Sequence, residues 1–183
     1  MTKYQSIKIA ALVFTMITFL TGCNHGATLQ TYYVDNELEP GFTSLDIPTS
    51  FLNLEETNLS QEQLQAYESI DKLNMLAFVV DDSNKEQFAS EVVNVQAILK
   101  DPKYEELIRG GNSRDGKFAV KYLGNPDSLK ELVLFGYRNE QGFAIIRVLG
   151  NDMNANHILK LVSAIQQTDF NDDQISQFLS FLK

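Results

Sequence analysis

The sequence predicts an α+β domain, with a mainly antiparallel sheet that closes in a three-strand meander and helices packed on one face. Three observations carry this. Helix-like and strand-like runs alternate through the first half of the chain. Three strand-like runs then follow one another at residues 117–123, 129–137 and 143–149, joined by turn-rich stretches of hairpin length at 124–128 and 139–142. Two amphipathic helical patterns come last.

Each element has its own punctuation. Residues 29–37 read as a short helix, and 42–47 as a short strand closed by Pro48. Ser60 is placed as an N-cap, with Gln63 completing a capping box and Leu59 and Leu64 at the staple positions. The run 73–80 (LNMLAFVV) is apolar on both faces beyond Asn74, which marks a central strand. Asp81, Asp82 and Ser83 end it, and Ser83 with Glu86 repeats the capping-box pattern. Phe88, Val92, Val95 and Leu99 recur at helical spacing until Asp101-Pro102 stops the run. Residues 104–109 fit either a helical turn or a strand, ended in both cases by Gly110-Gly111. Phe118, Val120 and Tyr122 alternate with Lys117, Ala119 and Lys121, so the meander should have one apolar face. Ile158, Leu161, Val162 and Ile165 predict one amphipathic helix. Ile175, Phe178, Leu179 and Leu182 predict a second, and both have Asn or Asp at their starts.

The first 23 residues speak to location. Lys3 and Lys8 precede an apolar run, and Leu20-Thr21-Gly22-Cys23 follows it. That order is a bacterial lipoprotein signal: cleavage before Cys23 leaves the cysteine to carry the lipid. The run is too short to span a bilayer, which takes about 20 apolar residues. The expected organisation is a signal peptide at 1–22, a short tether at 23–28 and a single α+β domain at 29–183. Acylation removes the chain's one cysteine from disulfide or thiol chemistry. A tether this short holds the domain close to the bilayer.

The formal charge is −9, and removal of Lys3 and Lys8 takes it to −11. Nucleic acid is excluded as a partner, because it demands a basic footprint. The same balance argues against electrostatic adhesion to anionic lipid, leaving the lipid on Cys23 as the membrane attachment.

Candidates for chemistry are few, and each has a plainer explanation. His25 lies in the tether and His157 at a helix start, with no H-E-x-x-H or G-x-S-x-G pattern. Asp152-x-Asn154-x-Asn156 and Asp169-x-Asn171-x-Asp173 resemble the opening of a calcium loop. The glycine and closing acid that calcium needs are replaced by His157 and Ser163 in one and by Gln174 and Ser180 in the other. Both precede amphipathic helices, where Asn and Asp serve as caps. Acid pairs stand at Glu55-Glu56, Asp81-Asp82, Glu105-Glu106 and Asp172-Asp173, but adjacency does not set two carboxylates across a cleft. Gly110-Gly111 lacks the Lys-Ser/Thr of a phosphate loop. Tyr32-Tyr33 could touch headgroups, though packing explains them as well. No catalytic residue, metal site or cofactor is expected.

Four stretches carry a family resemblance: KLNMLAFV at 72–79, YEELIR at 104–109, LKELVLF at 129–135 and FAIIRVLGN at 143–151. In their order and spacing the chain resembles an uncharacterised Bacteroidetes lipoprotein family, the domain of unknown function 4252, from about Tyr32 to Gln166. The resemblance implies an envelope lipoprotein with an α+β domain and no assigned activity. Surface-exposed lipoproteins of that group carry acids soon after the lipidated cysteine. Asn24-His25-Gly26-Ala27-Thr28 has none, so the expected place is the outer membrane, facing the periplasm. The expected role is non-catalytic binding of another envelope component. The alternatives are a small-ligand binder with a pocket between helices and sheet and, behind it, a carboxylate-dependent hydrolase.

Overall fold

The computed structural model describes residues 26–47, 49, 59–112, 114 and 116–165. Within them the chain runs α1 (Leu29–Asn36), β1 (Phe42–Ile47), α2 (Gln61–Glu68), β2 (Ile70–Val79), α3 (Lys85–Ile98), β3 (Tyr104–Asn112), β4 (Gly116–Asn125), β5 (Ser128–Arg138), β6 (Gly142–Met153) and α4 (Ala155–Ile165). The strands form one six-stranded sheet in the order β1-β2-β6-β5-β4-β3, antiparallel at every step. The α+β class and the meander are as the sequence predicts. β3 joins the three expected strands, so the meander runs through four.

Strand alternation sorts the core into two layers. Met75, Ala77, Leu132, Ala144, Ile146 and Val148 meet Ala66 of α2 and Ala155, Ile158 and Leu161 of α4. Leu76, Phe78, Val133, Phe135, Phe143 and Ile145, their sequence neighbours, meet Leu29, Tyr32 and Tyr33 of α1 and Phe88, Val92, Val95 and Ile98 of α3. The expectation of helices on one face is therefore corrected: α1 and α3 cover one side, α2 and α4 the other. The cause lies in β2, β5 and β6, which carry apolar side chains at consecutive positions. One helical layer would leave half of them in water, at about 1.5–3 kcal/mol for each large side chain. Phe78 and Phe143 stack 5.7 Å apart at the centre of the α1/α3 side. Beside them Gly142 has φ +131°, and a Cβ there would lie 1.8 Å from the Phe78 carbonyl oxygen, so only glycine lets β2 and β6 approach.

Local signals hold with two corrections. Ser60 and Gln63 form the expected capping box, Gln63 N–H donating to Ser60 Oγ at 3.3 Å and Ser60 N–H to Gln63 Oε1 at 2.8 Å. Leu59 packs against the core, while Leu64 is 45% exposed. Ser83 and Glu86 form no box. Asn84 is the N-cap of α3, and Asp81 Oδ1 instead accepts from Ser83 N–H at 2.7 Å, tightening the turn ahead of the helix. Finally, Gly110 and Gly111 lie inside β3 rather than ending it. Gly110 sits opposite Phe118, and a Cβ there would meet the Phe118 ring at 2.7 Å, so glycine makes room for the ring. The second amphipathic run, at 175–182, lies outside the described residues.

Candidate functional site

One buried polar cluster stands out on the α1/α3 side. Arg147 of β6 and Glu131 of β5 are diagonal neighbours: Arg147 lies opposite Val133, and Glu131 opposite Leu149. Arg147 Nε donates to Glu131 Oε1 at 2.6 Å, with only 7% of each side chain exposed. Its Nη1 donates to Gln30 Oε1 of α1 at 2.7 Å. Across the sheet Asn74 pairs with Arg147 and Asp46 with Asn74. Asn74 Nδ2 donates to Asp46 Oδ1, which also accepts from Tyr33 OH at 3.3 Å. Tyr32 OH closes the helix layer by donating to Glu91 Oε2 of α3 at 2.7 Å.

The electrostatics follow from this burial. Burial, then the Asp46 carboxylate, pushes the Tyr33 phenol up to about 12. Burial, then Glu131, pushes Tyr104 up to about 12. Tyr32 is raised further, by burial and by its bond to Glu91. Among the described residues no buried side-chain polar atom lacks a partner. A charge pair so enclosed and so completely bonded holds secondary structure in place. Asp46 and Glu131 are also separated by β2 and β6, roughly 14 Å at the usual strand spacing, beyond the separation of a glycosidase carboxylate pair.

The residues singled out in the sequence are scattered. Cys23, His25, Glu55-Glu56 and the calcium-like run 169–173 lie outside the described residues. Tyr32 and Tyr33 are buried core residues. Asp81 binds its own turn, and the hydroxyl and N–H of Ser83 hold its carboxyl below the usual range. Asp82 pairs with Lys85 on the surface. Glu105 accepts from Tyr122 OH at 2.6 Å, while Glu106 pairs with Arg109 on the other side of the sheet. Asp152 accepts from Ser128 Oγ at 2.7 Å. Asn154 Oδ1 accepts from Asn156 and His157 N–H groups, so this calcium-like run is the cap of α4. His157 is half-buried near Glu62, whose carboxyl Lys160 holds down. Sequence reasoning missed Arg147 and Glu131. Their signal was present: Arg147 is the one ionisable residue in the apolar run FAIIRVL, and Glu131, next to Lys130, is the one acid in LKELVLF.

No solved structure matches the chain. A family model does, over residues 33–161, from within α1 to within α4. With that span covering most of the sequence and all six strands, the chain belongs to the family described as Domain of unknown function (DUF4252).

Proposed function

We infer that this is a lipid-anchored envelope protein, held through acylated Cys23 to the periplasmic face of the outer membrane, whose domain is a non-catalytic binding module. The observation that carries the reading is Leu20-Thr21-Gly22-Cys23 after a short basic and apolar leader. The start of the fold supports it. Thr28 caps α1 through reciprocal bonds with Thr31, at 3.1 and 2.9 Å, and Leu29 is fully buried. The N-cap of α1 thus lies five residues after Cys23, and at about 3.5 Å per extended residue the domain stays within roughly 18 Å of its anchor. The non-catalytic part rests on the described acid pairs, whose members are occupied in a turn (Asp81), in ion pairs (Asp82, Glu106) and in a bond from Tyr122 OH (Glu105).

The test is the mass of the mature N-terminal peptide from the native bacterium. Diacylglyceryl-modified Cys23 is expected, and Cys23→Ala should accumulate as uncleaved precursor. Cleavage elsewhere, or a free Cys23 thiol in the mature protein, would overturn the anchor. Protease shaving of intact and of opened cells reads the leaflet: digestion only after opening is expected.

A further inference from the structure

We propose that the α1/α3-side face of the β3–β4 ribbon is a contact for anionic lipid headgroups, a second membrane attachment that rests on the anchored reading above. The chain's formal charge is −9, yet residues 100–121 hold six of its 15 Lys and Arg against four of its 24 Asp and Glu. Strand pairing then separates those charges by face. Arg109 lies opposite Ala119, Lys117 opposite Gly111 and Lys121 opposite Glu106. The three cations therefore share one face, the side on which Tyr104 and Leu123 join the α3 core. Glu106 is the acid on that face, and Arg109 binds it at 3.1 Å. Lys121 donates to the Tyr104 carbonyl at 3.4 Å, and among the described residues neither Lys117 nor Lys121 has an ion-pair partner.

The opposite face of the ribbon carries apolar side chains beside Glu105, whose carboxylate accepts from Tyr122 OH. Ile108 and Phe118 are 43% and 46% exposed there. β3 ends the sheet, and all but three of its residues are exposed. Cations on one side and an aromatic and a branched aliphatic on the other are what an interfacial element presents: rings and alkyl groups to the acyl boundary, Lys and Arg to phosphates.

The anchor selects lipid over an acidic protein as occupant. α1 lies on the same side of the sheet as the three cations, with Gln30 bound to Arg147 of β6. β4 is two strands from β6, about 10 Å, inside the roughly 18 Å reach of residues 24–28. Tethering keeps the headgroups at high effective concentration beside the ribbon. The acidic remainder of the surface is repelled by the same headgroups, so the protein settles ribbon-first. Net charge argues against adhesion only when the charge is spread evenly, and here it is not.

The experiment compares hydrogen exchange at residues 107–112 and 116–121 in the processed, lipid-carrying protein. The protein is placed on phosphatidylcholine vesicles with and without phosphatidylglycerol, and on the neutral vesicles with inorganic phosphate. Exchange should slow by about threefold or more on anionic vesicles, recover in high salt, and stay unchanged with free phosphate. Arg109→Gln/Lys117→Gln/Lys121→Gln should abolish the difference while keeping the wild-type melt. Should that variant misfold, Lys117→Gln alone, an exposed position, should reduce the protection. Equal exchange on the two vesicles, protection that persists in the substituted protein, or protection that needs an acidic protein instead of lipid would overturn the proposal. The N-terminal mass of the same sample reports the anchor separately. An unacylated chain is added to the vesicles from solution and read in the same way.

Discussion

On its α2/α4 side the sheet presents Met75, Ala77, Leu132, Ile146 and Val148 to an aliphatic layer, while on its α1/α3 side it presents stacked phenylalanines and, further along the strands, Asn74, Arg147 and Glu131. Both sides are well buried, but they are specified differently. The aliphatic side relies on volume and shape, which tolerate exchange between side chains of similar size. The α1/α3 side adds directional bonds from Gln30, Tyr32 and Tyr33, so α1 has one seat in which those groups are satisfied. A short helix with three buried residues gains more from such bonds than a longer one, because it has little apolar area with which to fix its register.

The comparison breaks first at the ion pair. Glu131→Ala leaves the Arg147 charge buried without its carboxylate and should cost about 3–5 kcal/mol in urea unfolding. Glu131→Leu combined with Arg147→Met should recover most of that loss. Amide exchange in α1 should nevertheless be faster in the double variant, because Gln30 has lost its partner. Wild-type exchange in α1 would show that packing alone seats the helix. On the other side Leu161→Ala should cost about 2–5 kcal/mol and leave exchange in α1 unchanged up to the global limit.

Alkali should act through the α1/α3 side. In the unfolded chain the Tyr33 and Tyr104 phenols ionise near 10.0, whereas burial, and then the nearby carboxylates, hold both at about 12 in the fold. A raised pKa gives a contribution that is complete below pH 10 and is lost as pH rises through about 12. Stability should therefore fall across that window, with Tyr33→Phe flattening the slope. An unchanged slope in that variant would exclude Tyr33 as a cause. The smallest effects should come from the helix caps, one on each side: Thr28→Ala and Ser60→Ala should each cost about 1 kcal/mol by thermal melt.

Much of this fold is legible because local chemistry and global packing agree. Ser60 with Gln63, the 3.6-residue recurrence from Phe88 to Val95, and turn residues between long apolar runs all predict elements that form. β3 is ambiguous in the sequence because its apolar signal is weak: an edge strand exposed on both faces has little burial to advertise. The N-cap of α3 is not legible locally, because Asp81, Ser83 and Asn84 compete to end one strand and start one helix, and the winner depends on where the chain turns. The buried cluster was hardest to see, since Gln30 and Arg147 are 117 residues apart and no local pattern joins them.

The sequence by itself determined the helices with clear caps, the run of late strands, the acidic balance and the basic and apolar start ahead of Cys23, because each is written in the residues without reference to the fold. Tertiary structure decided what depends on strand order. It set helices on both faces, paired Arg147 with Glu131 beneath α1, and gathered Arg109, Lys117 and Lys121 on one side of an acidic protein. A strand fixes only that its neighbours alternate. Which charges then meet, or stand together, is fixed by register between strands, and register is a property of the whole sheet.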